Sequence, residues 1–227
     1  MTMTMRLSVH LYAILRERAG TDTVEIDLAE DATAADALLA LRETPGLELL
    51  ERFPVRIAVN REYADPGQEL SAGDELALIP PVSGGAEPQV SGGAEPHVRV
   101  SPEPLSPAAL SEAVGRPGAG AIVTFQGTTR DVERLEYEAY AEMAEERIAE
   151  ILRDCVERHG LEAAAAEHRV GAVALGQPSV VVAVSAAHRS EAFAGAREAI
   201  DRIKAEAPIW KKEVEAGEGR WVEGTAP

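Results

Sequence analysis

Between residues 81 and 96 the chain reads PVSGGAEPQVSGGAEP, two octets that differ only at Pro81 and Gln89. A tandem segment rich in glycine, proline and glutamate has almost no apolar surface to bury, so it cannot form part of a core. It divides the 227 residues into two stretches, each long enough to close a core of its own. The expected organisation is one domain over 1–85, a linker over 86–96 and a second domain over 97–227.

In the first stretch, MRLSVHLYA (5–13) alternates apolar and polar residues as a strand does, and DTVEIDL repeats the alternation after the turn signal RAGT. A hairpin is predicted. ATAADALLALRETPG then predicts an amphipathic helix capped by Thr33, with Gly46 beyond its end. VRIAVNREYA, a turn at DPGQ and DELALIPPV predict two further strands. The order strand, strand, helix, strand, strand is that of a β-grasp domain, a small mixed sheet packed on one helix.

The second stretch also reads as α+β. Ser106 and Pro107 occupy the preferred N-cap and first positions of a helix through AALSEAV. GAGAIVTFQG and ERLEYEAY are strands, and residues 141–159 form a long helix. PSVVVAVSAA, apolar throughout, predicts a strand buried on both faces. A second long helix, HRSEAFAGAREAIDRIKAEAP, stops at Pro208, and its apolar face is expected to hold Phe193, Ala196, Ile200 and Ala207. IWKKEVE and RWVEG close the chain as short strands.

The formal net charge is −17, and both stretches carry more acidic than basic side chains. Nucleic acid and anionic membranes are therefore excluded as partners, and any anion must be met by cations gathered locally. One cysteine, Cys155, forbids an intrachain disulfide and fits a reducing cytosol. It lies on the apolar stripe of the 141–159 helix, which predicts a buried core residue rather than a reactive thiol. MTMTMRLSVHLYAIL lacks a long apolar run and a small-residue cleavage site, and nothing later reaches membrane-spanning length, so a cytoplasmic location is expected.

The lysines are unevenly placed. Of 22 basic residues only three are lysines, and Lys204, Lys211 and Lys212 all fall within IKAEAPIWKKE. Lysine differs from arginine in that burial can bring its pKa within reach of proton exchange, whereas a guanidinium stays charged. Lys204 can equally be a solvated cation favouring a helix C-terminus. Lys212 faces away from Lys211 on a strand and is expected to be ordinary surface. The pair Gly84 and Gly85 follows the last strand of the first stretch. With no side chains it can be plain linker, or a tail able to thread a narrow channel and present its final carbonyl to an active site.

Residues 1–85, ending in IPPVSGG, resemble the ubiquitin-like sulfur-carrier subunit of the molybdopterin synthase family, although thiamin-pathway sulfur carriers look similar. Residues 97–223 resemble the large catalytic subunit of the same family through GAIVTFQGTTR, LEYEAYAEMA, SAAHRS, KAEAPIWKKE and GRWVEG. The resemblance implies that a thiocarboxylate on the carrier's last glycine supplies two sulfurs to cyclic pyranopterin monophosphate, forming the dithiolene of molybdopterin. It implies Lys204 and Lys211 as catalytic residues, Phe125, Arg130, His188 and Arg189 as substrate-binding residues, and Gly84 and Gly85 as the carrier tail. No metal or organic cofactor is implied, while an adenylating enzyme and a sulfurtransferase must charge the carrier. The rival reading is a ubiquitin-like binding module fused to a non-catalytic anion-binding scaffold.

Two departures from the family pattern stand out. The carbonyl of Gly85 is tied in a peptide bond to Ala86, so cleavage after Gly85 is expected before thiolation; Gly93 is a rival terminus eight residues on. The loop after Arg130 is also shorter than the family pattern. Finally, Arg189 and Lys204 are 15 residues apart on one predicted helix, about 22 Å at 1.5 Å per residue. If both serve one small substrate, two copies must share the site, most simply as a homodimer through the second domain.

Overall fold

Strand β1 (Thr4–Leu11) alternates exposed and buried side chains in the computed structural model, which describes residues 4–47, 50, 55–80 and 95–222. The described residues form two units, those up to Pro80 and those from Glu95 onward. In the first, β1 is followed by α1 (Ala13–Ala19), β2 (Thr23–Ala29), α2 (Ala34–Arg42), β3 (Arg56–Val59), β4 (Glu62–Tyr63) and β5 (Leu76–Ile79). The sheet order is β2-β1-β5-β3-β4, with β1 parallel to β5 and the other pairs antiparallel. Leu7, Val9, Leu76 and Leu78 on the sheet and Ala37 and Leu41 on α2 close one core. Thr33 caps α2 reciprocally: its hydroxyl accepts from the Asp36 amide, and the Asp36 carboxylate accepts from the Thr33 amide at 2.8 Å. This is a β-grasp fold.

Two local expectations are corrected. The β1–β2 connection is a helix rather than a tight RAGT turn: AILRERA buries Ala13 and Leu15, and Gly20 ends it in the left-handed region at φ 69°. A short helix satisfies the backbone of seven residues that alternation alone would assign to a strand and a turn. VRIAVNREYA is two strands, not one, because Asn60 and Arg61 both have positive φ, 52° and 72°. Such a pair makes the tight turn that matches strand twist.

The second unit comprises β6 (His97–Ser101), α3 (Pro107–Ala113), β7 (Ala121–Thr128), β8 (Arg134–Ala139), α4 (Ala141–His159), β9 (Leu161–Arg169), β10 (Gly171–Ala174), β11 (Pro178–Ala186), α5 (Arg189–Glu206), β12 (Ile209–Glu215) and β13 (Glu218–Trp221). They build two four-stranded sheets, β6-β9-β11-β7 and β10-β8-β12-β13. Strand β11 is buried on both faces: Val180, Val182 and Val184 meet α4 and α5, while Val181 and Ala183 meet Leu110 on α3. Cys155 is fully buried in the first of these cores, and burial pushes its thiol up to about 12.

Helices α4 and α5 are joined by charge as well as by apolar contact. Buried Arg147 donates to Glu206, and Arg202 bridges Glu206 at 2.8 Å and Asp154 at 3.1 Å. The α5 face that packs inward carries Ala192, Ala196, Ala199, Ile200 and Ile203. Phe193, expected on that face, is 63 % exposed. At 100° per residue it lies on the stripe of Arg197 and Lys204, about a quarter-turn from the packed face. Ala207 takes an extended conformation, φ −74° and ψ 132°, as the residue before Pro208 must, and α5 ends there.

Candidate active site

The C-terminal half of α5 borders a cleft of about 990 Å³ whose other walls come from both sheets of the second unit. Four cations line it: Arg130, Arg197, Lys204 and Lys211. Their convergence follows from local structure. Lys204 stands in the last turn of α5, exposed, with its ammonium 5.5 Å from the centroid of the Phe125 ring on β7. Lys211 is the third residue of β12 and lies opposite Tyr137 on β8, so the two side chains share a sheet face. Its neighbour Lys212 points the other way and sits with its ammonium 5.3 Å from the Trp221 ring; it is half-buried rather than open surface.

Arg130 follows a firmly held residue. Thr129 is buried, its amide donates to the Gln177 carbonyl, and its own carbonyl accepts from Gly176. The Arg130 side chain is 87 % exposed and lies 3.7 Å from the Asp131 carboxylate. The loop it heads is short, since β8 begins at Arg134.

One copy of the chain therefore brings together Arg130, Lys204 and Lys211, with Phe125 against Lys204. His188 and Arg189 are elsewhere: His188 is the N-cap of α5 and Arg189 its first residue, both exposed, about 22 Å from Lys204 along the helix. Gly84, Gly85 and Gly93 lie outside the described residues. Within the cleft the four cations face four carboxylates, Asp131, Asp201, Glu213 and Glu215, so the lining has no excess positive charge of its own.

Three lining residues were not anticipated from sequence. Arg197, 3.7 Å from Asp201, was lost among ordinary helix-surface charges. Tyr137 and His168 form the cleft floor with their rings edge to face at 71° and centroids 5.0 Å apart. Tyr137 donates to the Ser179 hydroxyl at 3.0 Å, which donates to the Gly127 carbonyl at 3.2 Å. Burial pushes the His168 ring pKa down to about 4, against a smaller upward pull from the Arg169 carbonyl, and the Lys204 charge adds to the depression. The available sequence signal was a histidine ending an apolar run, EAAAAEHR, where an ordinary surface position is not expected.

Residues 100–206 match the MoaE protein family, and residues 9–85 match the ThiS family. The molybdopterin synthase catalytic subunit of Thermoplasma volcanium is 45% identical over 129 residues, covering 54% of this chain and 94% of that protein. The subunit of the same description from Oryza sativa subsp. indica is 52% identical over 102 residues, which is 42% of this chain and only 53% of the rice protein. Among solved structures, molybdopterin synthase from Staphylococcus aureus is 35% identical with a TM-score of 0.51, covering 54% of this chain and 94% of that one. Molybdopterin cofactor biosynthesis protein E from Burkholderia multivorans is likewise 35% identical at a TM-score of 0.51, over 57% of this chain and 89% of that one. With nearly all of the Thermoplasma subunit matched by the half that holds the lysine cleft, and a ThiS-family half ahead of it, the chain belongs to the molybdopterin synthase family.

Proposed function

We propose that the chain makes molybdopterin by moving two sulfurs from a C-terminal glycine thiocarboxylate onto cyclic pyranopterin monophosphate. The observation that carries this reading is the convergence of Arg130, Lys204 and Lys211 on one cleft from three separate elements. Substrate phosphate and incoming thiocarboxylate are both anions, and cations fixed around one cleft hold two such groups together better than water does. Arg130 suits the phosphate, since its fork binds two oxygens and keeps its charge. Lys204 and Lys211 are the catalytic residues: each can stabilise the oxyanion that forms when sulfur adds, and each can pass a proton, which arginine cannot.

The carrier is the first unit, cut after Gly85 so that its carbonyl is free to be adenylated by one enzyme and thiolated by a sulfurtransferase. A homodimer through the second unit completes the site. The balanced charge of the one-copy cleft supports this, because His188 and Arg189 of a second copy add the positive charge that the phosphate requires.

The test is a sulfur-transfer assay on three samples: the intact chain, a thiocarboxylated carrier of residues 1–85 mixed with residues 97–227, and the same mixture carrying Lys204→Ala. Product from the split pair alone, reduced about a hundredfold or more by Lys204→Ala, is the expected result. No product from the split pair, with both halves folded, would return the lysines to being surface charge and leave a binding module on a scaffold.

A further inference from the structure

His168 is not part of the reaction outlined above, yet among the described residues it is the one imidazole lining the cleft. Its Nδ1 lies 2.9 Å from the Arg169 carbonyl oxygen. A carbonyl oxygen only accepts, so Nδ1 carries the proton and donates it. In the neutral ring Nε2 then has a lone pair and no hydrogen, and among the described residues nothing donates to it. The residue is 8 % exposed, and the Lys204 ammonium disfavours a second charge near it, so the neutral form with that one tautomer is held.

Tyr137, edge-on to the His168 ring, is arranged in the same way. Its hydroxyl proton is committed to Ser179, whose own proton is committed to the Gly127 carbonyl. Both aromatic groups on the floor have therefore spent their protons on backbone oxygens, directly or through one hydroxyl. What they offer the cleft is acceptor atoms, beneath walls that offer ammonium and guanidinium donors. A floor of this kind cannot hold an anion; it takes a group that donates, such as the N–H or amino edge of a nitrogen heterocycle.

We propose that His168 is a specificity-determining residue, whose Nε2 accepts a hydrogen bond from an N–H of the substrate's heterocycle while the cationic walls hold its phosphate. This rests on the reading of the cleft as the pterin site. Orientation follows from it: a ring turned over would bring an acceptor against Nε2 and leave both buried and unpaired, which is costly.

The test uses the full chain labelled with 15N-histidine, its five imidazoles resolved by long-range 15N correlation and His168 assigned by its loss in His168→Phe. At neutral pH its Nε2 is expected at the shift of an unprotonated nitrogen, and it should move toward the hydrogen-bonded range on adding cyclic pyranopterin monophosphate. By calorimetry, His168→Phe should bind the same compound about tenfold or more weakly, and His168→Gln should recover part of it; in the sulfur-transfer assay of the split pair the loss should fall in KM rather than kcat. A protonated Nε2 in the free chain, a resonance unmoved while calorimetry shows binding, or full affinity in His168→Phe would overturn this proposal alone. No binding to the unaltered chain would overturn it together with the pterin reading.

Discussion

Protonating His168 puts a charge in a site only 8 % exposed and near an ammonium, and this gives the second unit a pH-dependent stability. The ring's pKa is about 4 in the fold against an ordinary 6.5. As pH falls through 6.5 the unfolded chain takes up the proton first, while the folded chain resists until near 4. Stability from this residue is therefore full above 6.5 and is lost as pH drops toward 4, by about 1.4 kcal/mol per unit within that window. Both tryptophans, Trp210 and Trp221, belong to the second unit, so urea unfolding followed by their fluorescence reads it directly. Between pH 7 and pH 5 the unaltered chain should lose about 2 kcal/mol more than His168→Phe; equal losses would mean that the ring titrates normally. At this scale the lysines were legible because their confinement to one segment is visible in the letters alone. His168 and Tyr137 were not, since what marks them is the hydrogen-bond direction of atoms brought together by four different strands.

Strands and helices were legible where the pattern had a single reading. The valine run of β11, the stripe of α4 and the cap of α2 all read correctly. Strand β9, by contrast, is LEAAAAEHR, a composition that favours helix in isolation. Gly160 stops α4 at φ 61°, and the following alanines slot between β6 and β11, where their small side chains let helices pack closely on either face. Tertiary context decides there, as it does for Phe193. The same close packing explains why α4 and α5 are tied by buried charge. Arg147→Met would take one charged partner from the Glu206 carboxylate, 3 % exposed, while Arg202 stays at 2.8 Å. A loss of about 3 kcal/mol is expected, the lower end for a broken buried pair because one partner remains. Tryptophan-monitored urea unfolding measures it, and a loss under about 0.5 kcal/mol, the level of an exposed pair, would show the network to be solvated.

Over the whole molecule, the chain divides into two compact units, and each has its own core. The length of α5 was legible in the letters, but the place of Arg197 in the cleft was not, because that depends on which face of the helix turns toward the sheets. The helix acts as a spacer, with Arg189 at its first position and Lys204 in its last turn. In the proposed homodimer each cleft takes its lysines from one chain and its His188 and Arg189 from the other. Two defective genes should then rescue one another. Chains bearing Arg189→Ala and chains bearing Lys204→Ala, each nearly inactive alone, would on mixing form hybrids with one intact cleft and one doubly damaged. Random pairing makes half the dimers hybrid, so activity should return to about a quarter of the unaltered level. A cell carrying both alleles would be expected to make its cofactor, while either allele alone would leave it without.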